Sequence, residues 1–258
     1  PSTLELLGLL LARAPAQRLL IVMTARPEFE APWSAESTFA KLRLARLDEE
    51  EVHDLMAAVL GGRSLPRGMR AEVAERAAGV PLFIEETVKM ILESGPGDTP
   101  VIPGTLQNPL AARLDALGEV KELAQLASVV SLGGEFSFEL LRAVTQEDEE
   151  SLRVALDELV RAELLYERGA LSDSVYVFKH ALIRETAYGS LLRSTRRRFH
   201  ARVAEVLEEA FPEKVENEPE LVAQHLAEAG LTLDAIRHWQ QAGERALRAW
   251  ATEEATTH

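Results

Sequence analysis

Thr24 and Arg26 close an apolar run, LLIVM at residues 19–23, and Pro27 forbids its continuation. A buried parallel strand delivers polar groups in this way to the carboxyl edge of a sheet, where α/β folds bind ligands. Arg26 placed there sets a cation beside a bound anion. The plainer reading is a surface arginine in a strand–loop junction, paired with Glu28 or Glu30. A second candidate is Gly79-Val80-Pro81, inside GVPLFIEE at 79–86. Gly-x-Pro between two helices fixes a sharp bend whose exposed backbone can press a flat apolar face onto a base. Its plainer reading is a helix–helix corner with Pro81 at the first helical position. A third is His180, which follows the β-prone VYVFK and opens a helix. A histidine there can donate to an anion that the helix end also attracts, or it can be a capping or core residue. Arg193, Arg196, Arg197 and Arg198 form the one basic cluster. It is open to a DNA-contact reading and to a blander one, a solvated first helical turn among acidic neighbours.

Much chemistry is missing. No GxxxxGK[ST] and no GxGxxG after a strand occurs, and no apolar strand ends in a magnesium-binding aspartate pair. His53, His200, His225, His238 and His258 show no metal-ligand spacing. No Ser/His/Asp set or carboxylate pair suggests hydrolysis. A net charge of −14 repels nucleic acid and anionic membranes at long range, so nucleic acid is disfavoured as a partner. There are no cysteines, which removes disulfides and thiolate metal sites. No apolar run approaches the ~20 residues of a membrane helix, and no signal peptide opens the chain. A cytoplasmic setting is expected.

These residues need elements to carry them. Of the 258 residues, 47% are apolar, enough for a real core, and Ala, Leu, Glu and Arg favour helix. A helix over Leu4–Ala14 and the strand Leu19–Met23 make half an α/β unit, and Ala40–Leu47 alternates at period two as an edge strand. Asp48 with Glu51 has capping-box spacing, and Gly61-Gly62 ends the helix that follows. Helices over Met69–Ala78 and Leu82–Ser94 come next. SGPGDTPVIPG, 94–104, reads as a linker. Helices over Thr105–Leu117, Val120–Leu132, Phe136–Val144 and Glu150–Ala162, then a hairpin around 169–172, outline a winged helix. Helices over Ala181–Leu192 and Phe199–Phe211 precede a pair, ELVAQHLAEAG and LDAIRHWQQAGERAL, that reads as one unit of a helical repeat.

The order of TAR, GVPLFIEE, IPGTLQNPLAARLDALG, YVFKHALIRETAYGSLLRSTRRRFH and PELVAQHLAEAG resembles the signal-transducing STAND ATPases, a branch of the AAA+-like P-loop NTPases. It is most similar to the bacterial kind found beside class III adenylate/guanylate cyclase or LuxR-type DNA-binding domains. The resemblance implies a mainly α chain with a small β content. Residues 1–47 would be the C-terminal part of an α/β ATPase core, and 48–97 a helical lid. A winged-helix-like domain would span 103–200, with a linker and first TPR-like repeat over 201–258. It implies that ATP/ADP is the cofactor, with magnesium in the intact protein and its ligands outside this chain. Arg26 would match the sensor arginine, Gly79 and Pro81 the turn packing on adenine and ribose, and His180 the winged-helix histidine at the β-phosphate of ADP. The family's Met-His-Asp reads Lys179-His180-Ala181 here, which puts that contact in doubt. Phe178 and Leu182 would be packing positions. The repeats would bind a protein partner or inducer, and the switch would self-assemble. This chain alone would show no ATPase activity. Two alternatives stand beside this reading: a winged-helix transcription regulator using Arg193–Arg198, and a helical scaffold indifferent to nucleotide.

Overall fold

The computed structural model describes residues 2–13, 20–26, 28–33, 40–93, 102, 104–105, 107–132, 134–169 and 174–248. The protein is mainly helical, with a small antiparallel sheet of three strands. It divides into two units, residues 1–45 with 243–257, and residues 46–242.

The first unit holds α1 (Ser2–Arg13). The expected strand at 19–23 is not formed over its described part. Leu20 to Arg26 have no regular structure, and Leu20 and Val22 are 85% and 80% exposed. Leu19 lies outside the described residues. Residues 40–47 do not form the expected edge strand either, and Leu42 and Leu44 are 89% and 95% exposed. The physical reason is pairing. Strand N–H and C=O groups need a neighbouring strand, and a parallel strand needs cover on both faces. The described residues offer these segments neither.

The second unit begins with three helices, α2 (Glu49–Leu60), α3 (Arg67–Ala77) and α4 (Pro81–Glu93). The capping box forms as its spacing predicts: the Asp48 carboxylate accepts from Glu51 N–H at 2.9 Å, and Glu51 accepts from Asp48 N–H at 2.9 Å. Val52, Met56 and Leu60 of α2 meet Val73, Ala77, Phe83, Ile84, Val88 and Ile91 in a closed apolar cluster. Most of the linker 94–104 lies outside the described residues. Ile102 is buried in that same cluster, and its carbonyl accepts from the Arg76 guanidinium.

The second cluster contains α5 (Gln107–Ala116), α6 (Val120–Val130), β1 (Glu135–Ser137), α7 (Phe138–Thr145), α8 (Glu149–Arg161), β2 (Leu165–Arg168) and β3 (Val175–Phe178). Next come α9 (Ala181–Ser190), α10 (Arg193–Ala210), α11 (Pro212–Asn217), α12 (Pro219–Ala229) and α13 (Thr232–Arg248). Strand order is β1-β3-β2, with Phe136 opposite Tyr176 and Glu167 also opposite Tyr176. Residues 136–137, helical by their apolar spacing, are strand instead. Phe136 stacks on Tyr176 at 5.7 Å, and the Ser137 hydroxyl caps α7 by accepting from Leu140 N–H at 3.2 Å. Helix α10 starts at Arg193, not at Phe199, so the basic cluster is inside the helix. Tyr176 is buried beside Glu167, which pushes its hydroxyl up to about 12.

Helices α10 and α12 meet through two buried histidines. His200 Nδ1 and His225 Nδ1 are 3.0 Å apart, and the Tyr188 hydroxyl is 3.0 Å from His200 Nε2. Burial lowers His200 to about 4 and His225 to about 3, so both are neutral in the fold. An unfolded histidine titrates near 6.5. The stabilising contribution is therefore complete above about pH 6.5 and lost as pH falls toward the folded values, at about 1.4 kcal/mol for each tenfold difference in proton affinity between the unfolded and folded chain. Urea midpoints at about pH 7 and about pH 5 should show a clear loss of stability on acidification. The loss should be smaller in His225→Phe; an equal loss would show that the pair does not govern it.

Candidate functional site: the cleft beside the Gly79–Pro81 turn

The turn between α3 and α4 is held against the chain that enters α2. Leu47 N–H donates to the Gly79 carbonyl at 2.9 Å, and Arg46 Nη1 donates to the Ala78 carbonyl at 3.2 Å. Ala78 and Gly79 are both left-handed, at φ 46° and 73°. Ala78 closes α3, and Gly79 makes the approach to Leu47. A Cβ on Gly79 would lie 3.0 Å from Leu47 N and from Arg46 Cβ, and closer still to the Leu47 carbonyl oxygen. The position therefore requires glycine for its conformation and for its contact. Pro81 occupies the first turn of α4, where its missing N–H costs nothing.

Beside this junction is a cleft of about 610 Å3, walled by Leu47, Asp48, His53, Arg67, Arg70 and Gly79, among others. Its size falls in the range of ligand pockets. Arg67 and Arg70 project from α3 and are exposed. Neither makes an ion pair with another described residue. Asp48 is committed to the α2 cap. His53 Nδ1 is 2.7 Å from the Glu49 carbonyl. Glu49 and Glu75 also line the cleft and give it an acidic side. The wall thus sets Leu47 and Gly79 beside two arginines, Asp48 and two glutamates.

Of the residues read from the sequence, Gly79 is in this wall, and Pro81 sits two residues beyond it. Arg26 is exposed on the irregular 20–26 segment of the first unit, where its carbonyl accepts from Phe29 N–H at 3.0 Å. His180 is the half-buried N-cap of α9; its side chain makes no capping bond, and its carbonyl accepts from Ile183 N–H at 3.0 Å. It is not part of the cleft. Phe178 is buried and Leu182 packs on the same cluster. In the basic cluster, Arg196 donates to the Leu191 and Gly189 carbonyls, both at 3.1 Å, and lies over the Tyr188 ring at 4.7 Å. Arg198 lies over Phe199 at 5.5 Å. Arg193 and Arg197 are exposed.

Sequence reasoning missed a charged network on α4. Glu86 and Arg113 are both buried and form an ion pair, and Arg113 also donates to the Ala162 carbonyl. Lys89 and Lys179 both donate to the Glu163 carboxylate, which they hold down to about 2. Glu86, Lys89 and Glu93 stand at i, i+3 and i+7, one face of a helix. That face is distinct from the apolar stripe. A polar stripe opposite an apolar one ordinarily reads as solvent-facing, so nothing local announced a partner.

Gly79→Ala should cost about 2 kcal/mol or more. Gly62→Ala, at φ 87° with open space around it, should cost only about 1 kcal/mol. Equal costs in thermal melts would show that the close approach to Leu47 is not selective. Arg113→Ala strands the Glu86 charge and should cost about 3–5 kcal/mol, whereas Arg113→Met combined with Glu86→Leu should recover most of it.

A domain of unknown function, DUF8739, matches residues 48–94, the stretch from the α2 cap to the end of α4 that carries the cleft. An uncharacterized protein of Rhizobium meliloti (strain 1021) is 28% identical over 258 residues, covering 95% of this chain and 25% of its own length. The chain therefore spans about a quarter of that relative.

Proposed function

We propose that the chain is the regulatory portion of an adenine-nucleotide-dependent signal-transduction switch of the STAND kind. Residues 48–97 are its helical lid, 103–200 its winged-helix domain, and 201–258 a linker and first TPR-like repeat. The output is an attached cyclase or transcription-regulator domain. The observation that carries this reading is Gly79, a glycine with no room for a side chain, walling a ligand-sized cleft at the entry to α2. Three supports stand beside it. The motif order of the sequence resembles that of the family, with a departure at Lys179-His180-Ala181. Helices α6, α7 and α8 with the order β1-β3-β2 suit a winged helix. Arg67 and Arg70 make no ion pair among the described residues and can meet an anion.

The chain fits part of the ligand only. Leu47 and Gly79 offer a surface for a purine, and the two arginines offer charge for a phosphate. A glycine-rich phosphate cradle is absent from the sequence. Residues outside this chain would supply it, together with the magnesium carboxylates. The lid would bias the switch by binding one nucleotide state better than the other, since a ligand moves an equilibrium only by its differential affinity. The exposed Arg26 remains the candidate reader of the γ-phosphate, and His180 the candidate contact to ADP. A reading as a DNA-binding regulator is weakened by Arg196, whose guanidinium is spent on backbone carbonyls.

The test is binding of a fluorescent ADP analogue to the intact protein. Saturable binding is expected, and Arg67→Glu with Arg70→Glu should weaken it about tenfold or more. His180→Ala should speed ADP release. An intact protein that binds neither ADP nor ATP overturns the reading.

A further inference from the structure

Two apolar clusters share the 46–242 unit, and no described residue belongs to both. They meet at α4 and α5, and charged groups make the tie. Arg113, on α5, reaches Glu86 on α4 and the Ala162 carbonyl at the end of α8. One residue on, Glu163 receives Lys89 from α4 and Lys179 from the end of β3, the latter at 3.1 Å. Both bridges therefore run from the same face of α4 to the same turn between α8 and β2. That turn is fixed in its own right: Leu164 N–H donates to Leu159 O at 3.0 Å, and Lys179 N–H donates to Leu164 O at 2.9 Å. Glu163 itself is left-handed, at φ 56°, a conformation that the surrounding bonds must hold.

We propose that Arg113 and Glu163 are the pivot and the clasp of an electrostatic latch that holds the α2–α4 cluster against the hairpin-bearing cluster, and that the molecule changes shape by opening the clasp. The two bridges differ in the way such a device needs. Arg113 and Glu86 are sealed from water, with side chains 6% and 1% exposed, and breaking them leaves a buried charge unpaired. Glu163 is half-exposed, so ions and water can compete for Lys89 and Lys179. The Glu163 bridge gives way first, while Arg113 keeps α4 attached. Acid is not the trigger under ordinary conditions. The two lysines keep the Glu163 carboxylate ionised down to about 2, and its stabilising contribution is lost only as pH falls below the usual carboxylate range. The latch requires no particular ligand and stands apart from the nucleotide reading.

The absence of cysteine from the 258 residues makes the motion measurable by site-directed spin labelling. Nitroxides are placed at Asp54→Cys on α2 and Val154→Cys on α8, both exposed positions, and the inter-label distance is read by double electron–electron resonance in the full chain without nucleotide. The parent pair should give one narrow distribution at low salt. Glu163→Gln and Lys89→Gln should each broaden it or add a second, longer population. About 1 M salt should do the same to the parent pair, because half-exposed ion pairs are screened at that strength. A single narrow distribution in both variants and at high salt overturns the latch. Should Glu163→Gln fail to fold, the salt series on the unsubstituted latch decides by itself. Failure to bind ADP, by contrast, leaves the distance result untouched.

Discussion

A buried guanidinium must have its charge met, and in this protein that requirement shapes the junction of two apolar clusters. Arg113 cannot sit between α4 and the end of α8 without Glu86 and the Ala162 carbonyl, because an unpaired charge out of water is far more costly than any single apolar contact is favourable. Apolar surfaces slide and repack at modest cost. Here one guanidinium nitrogen of Arg113 meets the Glu86 carboxylate and another meets the Ala162 carbonyl, so the residue ties α5 both to α4 and to the end of α8. Helix α4 is tied on one face by that pairing and packed on the other through Phe83, Ile84 and Val88.

The cleft depends on the opposite end of the same helix. Gly79 lets the α3–α4 turn lie directly on the backbone at Leu47, which closes one wall, and Arg67 and Arg70 on α3 provide a cationic lining. Asp48 lines the same cleft while its carboxylate accepts from the α2 backbone.

Elements whose determinants are close in sequence were legible. The capping box at Asp48 and Glu51, the glycine stop at Gly61 and the hairpin between β2 and β3 each rest on neighbours within a few residues. Elements whose determinants are distant were not. Strand β1 has only three residues, and its apolar spacing suits a helix; it is extended because Tyr176 and Val175 lie opposite it. The Glu86–Arg113 pair spans 27 residues and the Lys89–Glu163 pair 74, beyond the reach of any periodicity argument. The segments around residues 20–26 and 40–46 failed for a related reason. An apolar run and a period-two alternation suit strands, but neither pattern supplies a partner.

Those two segments leave an uncommon surface. Leu20, Val22, Leu42 and Leu44 stand in water, on backbone that makes no ladder bonds within the described residues. Such stretches are templates for pairing between molecules. The −14 net charge opposes such pairing by mutual repulsion, a force that dissolved electrolyte shortens to about a nanometre or less. The same ionic strength that loosens the Glu163 clasp therefore also weakens the opposition to self-association through these segments, so turbidity and oligomer growth in concentrated samples should rise with added sodium chloride.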